Sequence, residues 1–207
     1  MTDSQPVTVK IFSLEGWERQ FPGGEHVWGR CRFVFGPKAR DYDWLVVYED
    51  LVAPETLPCP TGQTLLVTTE PSSIKTYGSA FLNQFGVVLT SQEPWALQHQ
   101  NVVRSQPALK WFYGWPLHHP EARRRTYDEI AAGPPVDKTR MISTLCSEKQ
   151  QNHTLHRDRY RFTHHLKSAL PELDIFGWGN TELVDKAEGI DPYRYHLAIE
   201  NHRAPHH

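Results

Sequence analysis

The sequence predicts an α/β protein built from two Rossmann-like series, and three observations carry that prediction. Short β-type runs alternate with helical or loop segments along the chain, the pattern of sheets layered with helices. Several runs are apolar throughout instead of alternating, as in parallel strands covered on both faces. A Gly-Pro-Pro break inside AAGPPVD (Ala131 to Asp137) then separates the two series, because it cannot continue a helix and stiffens the chain.

The elements follow in order. VTVKIFS (Val7 to Ser13), CRFVFG (Cys31 to Gly36), DWLVVYED (Asp43 to Asp50) and TLLVTTEP (Thr64 to Pro71) read as strands. SSIKTYGSAFLNQF reads as a helix with Ser72 or Ser73 as its cap, and GVVLTSQ (Gly86 to Gln92) as a fifth strand. The Trp-rich stretch from Ser91 to Pro116 fits no element. The second series gives a strand at Thr139 to Ser147, a polar loop, a helix at Leu155 to Leu170, a strand at Leu173 to Asn180 and a last strand in YRYHLAIEN. Phe162, Leu166 and Leu170 form the apolar stripe of that helix, and Pro171 stops it. The implied domains are 1–130, a linker at 131–137, and 138–207.

Length and composition set bounds. The 207 residues suffice for one large or two small domains. A net charge of −2 supplies no electrostatic reason to expect a nucleic-acid partner. No apolar run reaches the ~20 residues that span a bilayer. The N-terminus lacks the charged-then-apolar pattern of a signal peptide. Cys31, Cys59 and Cys146 are scattered, which fits a reducing cytoplasm. Aromatic residues make up 12% of the chain; they suit stacking on sugars and bases, and equally an ordinary core.

Candidate chemistry gathers in three places. The loop and helix start at Ser147 to Arg159 form a natural phosphate site, through free N–H groups and the helix dipole. Arg159 lies toward the stripe side of that helix. It fits either a diphosphate held in two-pronged fashion or a surface pair with a local carboxylate. Glu200 and Asn201 follow a strand, where side chains reach a crevice; a plain turn accounts for them too. Glu70 ends a strand and reads as a general base, or as a residue near a helix cap.

Weaker signals stand beside these. Asp41-Tyr42-Asp43 imitates a metal–nucleotide motif but precedes its strand. The His118-His119, His164-His165 and His206-His207 pairs make poor chelates, because adjacent side chains diverge. No metal is expected. Arg123 to Arg125 reads as a solvated helix face, and a peripheral contact with anionic lipid is compatible with such a stretch but not indicated by it.

Taken together, Ser147, Arg159-Phe162-Leu166, Asp174-Phe176-Gly177-Gly179, Lys186, and Tyr193-Arg194-Tyr195 to Glu200-Asn201 resemble the C-terminal domain of glycosyltransferase family 10. These are the α-1,3/1,4-fucosyltransferases and their bacterial relatives. The resemblance covers the last third of the chain; the earlier part fits through element order and Thr-Thr-Glu-Pro at 68–71. It implies a GT-B fold with an acceptor domain and a donor domain that is incomplete in this chain. It also implies inverting transfer of fucose from GDP-fucose to a glycan hydroxyl, without a cofactor. Carried over by motif, Ser147, Arg159, Lys186, Glu200 and Asn201 would bind the nucleotide sugar, and Glu70 would be the base, with Thr69 standing where the family has glycine. The family pattern continues with an Asp-Tyr pair and Thr-Glu-Lys. Here His206 and His207 take the Asp-Tyr positions and Thr-Glu-Lys is absent. The expectation is therefore a shortened donor domain, weakly active or inactive alone. The alternatives are a non-catalytic binding remnant and a GT-B transferase with another nucleotide sugar.

Overall fold

The computed structural model describes residues 5–12, 17–51, 53–106, 108, 111–116, 118–135 and 137–203. The chain divides into two compact units, Met1–Leu109 and Lys110–Arg203. Among the described residues no helix is long and apolar enough to cross a membrane.

The first unit is a seven-stranded sheet of β1 (Val7–Phe12), β2 (Val27–Trp28), β3 (Cys31–Phe35), β4 (Trp44–Tyr48), β5 (Thr64–Val67), β6 (Val87–Thr90) and β7 (Val102–Arg104). Their order is β2-β3-β1-β4-β5-β6-β7, parallel throughout except for the β2–β3 hairpin. β1 therefore has β3 on one side and β4 on the other. In a doubly wound sheet that reversal is the switch point, where ligands sit beyond the carboxyl ends. β2 and β7 lie outside the predicted strands. Both are short, and β7 offers only two adjacent valines as a signal.

Cross-strand register explains the core. Val47 pairs with Leu66, and Leu66 with Val88, so they share one face. Tyr42, Leu45, Cys59, Leu82, Phe85 and Leu97 pack with them. Lys10 pairs with Leu45 and lies on that same face, fully buried.

The helix expected after Ser72 is reduced to one turn, α1 (Ser79–Leu82). Pro71 instead opens a turn whose carbonyl accepts from the N–H groups of Ile74 and Lys75. Ser72 caps nothing there: its hydroxyl donates to Glu93, 2.9 Å away.

The second unit holds a three-stranded parallel sheet of β8 (Arg140–Leu145), β9 (Leu173–Phe176) and β10 (Tyr193–Leu197), in the order β10-β8-β9. Both sheets are of the kind found in Rossmann-like folds. The chain runs from β8 through helix α3 (His156–Ala169) to β9, then returns to the other side of β8. The switch point thus lies at the carboxyl ends of β8 and β10.

The boundary between units falls earlier than the 131–137 stretch, for a clear reason. The Tyr113 hydroxyl donates to Asp191 at 2.6 Å, and Arg125 bonds both Asp191 and that hydroxyl at 2.6 and 2.7 Å. The Gly114 N–H donates to Asp185 at 3.0 Å. These bonds tie Tyr113, Gly114 and Arg125 to the segment that leads into β10. Gly-Pro-Pro follows α2 (Tyr127–Ala131) inside this unit. α2 begins with a capping box of Thr126 and Glu129.

The Arg123–Arg125 run is accordingly not a solvated helix face. Arg123 pairs with Glu129, Arg124 lies 5.3 Å from the centre of the Trp115 ring, and Arg125 is the partner of Asp191. A Cβ on Gly114 would come within 2.8 Å of Arg125, and its φ is +71°. We expect Gly114→Ala to destabilise the protein by about 1–2 kcal/mol from backbone strain alone, read as a lower urea midpoint.

The stripe of α3 is also shifted. His156 and Thr163 are its buried residues, whereas Phe162 is 52% exposed. The apolar letters marked the wrong phase because two polar side chains face the sheet.

Candidate functional site

Two groups of residues stand at carboxyl ends of strands, one in each unit.

In the second unit, Asn201 follows β10 and reaches the start of α3. Its carbonyl accepts from the Leu155 N–H at 2.8 Å, and its side-chain Nδ2 lies 3.0 Å from His156 Nε2. His156 Nδ1 bonds the Thr154 hydroxyl. An amide donor on Nε2 requires a neutral ring with its proton on Nδ1. Burial, reinforced by the charges of Arg159, Lys149 and His153, holds the His156 pKa below its ordinary value and favours that neutral form. His156 thus fixes the Asn201 amide, a role sequence reading missed. The signal was present only as a histidine at the start of a helix.

Beside this contact is a cavity of about 250 Å³ lined by Leu155, Asp158, Arg159, Phe162, Glu200 and Arg203, among others. Arg159 Nε is buried and has no hydrogen-bond partner among the described residues. A buried donor left unsatisfied is costly, so a bound acceptor would complete it. The size suits a phosphate or diphosphate group rather than a whole nucleotide sugar. Asp158 and Glu200 bring two carboxylates to the same space. Attraction for an anion must then come from Arg159, Arg203 and the positive end of α3, where the Leu155 and His156 N–H groups are already taken by Asn201 and Thr154.

Of the residues singled out, Arg159, Glu200 and Asn201 are brought together here. Ser147 lies half-buried just past β8. Lys186 lies elsewhere in the unit, on a larger cavity of about 600 Å³. Gly177 and Gly179, at φ +117° and +81°, let the β9 turn press against the end of β8. A Cβ on Gly177 would meet the Cys146 carbonyl at 3.2 Å, and one on Gly179 would meet Glu148. Asp174 accepts from the Tyr193 hydroxyl at 2.6 Å, at the end of the sheet opposite Asn201, which is a structural bond.

In the first unit, Glu70 lies just past β5, exposed, with its main chain held on both sides. Its N–H donates to Glu49 at 3.0 Å, and its carbonyl accepts from Gln92 at 2.8 Å. There is no helix for it to begin. The carboxylate that organises this place is Glu49, which follows β4 at φ +74°. It accepts from the Thr69 N–H and hydroxyl, the Glu70 N–H, Lys75 at 3.1 Å and Tyr77 at 2.6 Å. Burial pushes its pKa up, but the bonds from Thr69, Tyr77 and Lys75 outweigh burial and hold it below the ordinary glutamate range. Burial, with Glu49 beside it, holds the Tyr77 hydroxyl far above its ordinary pKa. A saturated, stabilised carboxylate is a poor base; exposed Glu70 is the available one. Thr69, standing where the family has glycine, supplies two of the donors to Glu49.

The remaining motifs are structural or unplaced. Asp43 accepts from the Thr8 N–H at 2.7 Å, joining β1 to β4. His164 lies against the Tyr160 ring, 4.2 Å between centres. His206 and His207 lie outside the described residues. Among the described residues no three His, Cys, Asp or Glu side chains gather so as to hold a metal ion.

Compared with family models, with curated proteins and with solved structures, the chain matches none.

Proposed function

We propose that the chain belongs to an inverting glycosyltransferase of GT-B type that transfers a sugar, fucose in the first instance, from a GDP-sugar to a glycan hydroxyl. The crevice at the ends of β8 and β10 takes the diphosphate. One observation carries this reading: the buried Nε of Arg159 lacks a partner among the described residues, at the cavity that Arg159 and Glu200 line beside the contact of Asn201 with the start of α3. A diphosphate oxygen supplies the missing acceptor, and the N–H groups of α3 add to its field.

In the transfer, Glu70 takes the proton of the acceptor hydroxyl. That oxygen attacks the anomeric carbon on the face opposite the leaving GDP. Arg159 and the helix start hold the charge that grows on the diphosphate as the bond breaks. Glu49 positions Glu70 through the bond to its N–H.

The test is calorimetric titration of GDP and GDP-fucose into the 207-residue chain and into Arg159→Ala. Saturable binding that weakens at least tenfold in the variant supports the reading. A folded protein that takes up neither ligand, or an Arg159→Ala variant that binds unchanged, ends it.

A further inference from the structure

The larger cavity of the second unit, about 600 Å³, has a lining unlike that of the first. Phe112, Trp115 and Trp178 supply aromatic surface, Leu183 an apolar wall, and Glu182 and Lys186 the charges. Trp178 is 59% exposed. It lines the cavity with much of its surface open, so a ligand there can reach it without unfolding anything. Phe112 and Trp115 meet at 53° with centres 6.5 Å apart, which makes a corner and leaves no parallel slot for a flat base. A corner of tilted rings fits the C–H faces of a chair-shaped sugar.

Lys186 is the second part of the argument. Its ammonium lies 5.2 Å from the centre of the Phe112 ring. Among the described residues no carboxylate lies within ion-pair distance of it. Lys186 is an exposed residue, and partial desolvation by its surroundings holds its pKa below the ordinary lysine value. A cation on the cavity wall, beside a ring and with no carboxylate at ion-pair distance among the described residues, gains from an anion. Glu182, on the same wall, can accept from sugar hydroxyls.

We propose that this cavity binds an acidic sugar, a hexuronate unit of a glycan, stacked on Trp178 with its carboxylate on Lys186. The assignment is independent of the nucleotide reading, which rests on Arg159 and the other cavity.

The experiment titrates the 207-residue chain with a glucuronate-terminated disaccharide, its methyl ester, and GDP. It follows tryptophan fluorescence and, in parallel, heat. The acid should bind saturably and the ester at least tenfold more weakly. Lys186→Gln should reduce the preference for the acid to near unity, and Trp178→Ala should abolish binding while the circular dichroism stays unchanged. Arg159→Ala should leave all of this intact. Equal binding of acid and ester, a Lys186→Gln variant that keeps the preference, or no saturable signal by either method overturns the proposal. So does displacement of the disaccharide by GDP, which would make the cavity part of a nucleotide site. Failure of GDP to bind at all, with the disaccharide bound, would remove only the nucleotide reading.

Discussion

Lys10→Met is expected to destabilise the protein by about 3–5 kcal/mol, the range for breaking a buried ion pair from one side. The Lys10 side chain is fully buried and the Glu55 side chain 8% exposed, with 2.6 Å between charges. Lys10 also donates to the Ala39 carbonyl at 2.9 Å, and the Tyr42 hydroxyl lies 3.2 Å from the same Glu55 oxygen. Removing the ammonium leaves a carboxylate with little water and a main-chain acceptor without its donor. The Tyr42 pKa, pushed up to about 12 by burial and then by Glu55, shows the same field. Chemical denaturation gives the difference directly. The double variant Lys10→Met with Glu55→Leu should recover most of the loss, because an apolar pair of similar volume removes both desolvation costs. A single variant within 1 kcal/mol of the parent would mean that the pair contributes nothing.

The second large effect is at Glu49. Five donors converge on its two oxygens, so Glu49→Ala leaves a cluster of unmatched donors, at a cost of about 2–4 kcal/mol. Glu49→Gly should be less damaging than Glu49→Ala by about 1 kcal/mol, since glycine tolerates the φ of +74°. The pH dependence has a definite sign. The folded pKa is lowered, so the carboxylate's contribution is complete above the ordinary glutamate value near ~4.3. It is lost as the pH falls through the lower folded value. The stability gap between the parent and Glu49→Ala should therefore close on acidification below about pH 4. A gap that stays constant down to pH 2 would contradict the bonding described.

How much of this could be read beforehand varies by element. β4, β5 and β6 were legible because parallel strands need unbroken apolar runs, and Trp44–Tyr48, Thr64–Val67 and Val87–Thr90 have them. The extent of α3 was legible to within a residue at each end, from its polar lead-in and the proline after it. Its phase was not. The helix-like stretch after Ser72 failed because Pro71 turns the chain before a helix can grow. In the candidate site, Arg159, Glu200 and Asn201 could be proposed from position relative to strand and helix ends. Their partner His156 could not, because only the fold sets that ring against Asn201.

The sequence by itself determined that the chain makes parallel sheets, where the long strands run, and that polar residues follow their carboxyl ends. Local chemistry is enough for that: apolar runs, proline breaks and glycines at left-handed turns act over a few residues. Tertiary structure alone decided which charges are buried and which are available. Lys10 looks like a surface lysine until β1 lies beside β4 and Ala39 and Glu55 close over it. Glu49 became the saturated carboxylate, and Glu70 the exposed one, because Thr69, Lys75 and Tyr77 converge on one of two neighbouring strand ends. Such bonds join residues 20 to 45 positions apart. Their partners are chosen by strand order and register, which no short stretch of sequence contains.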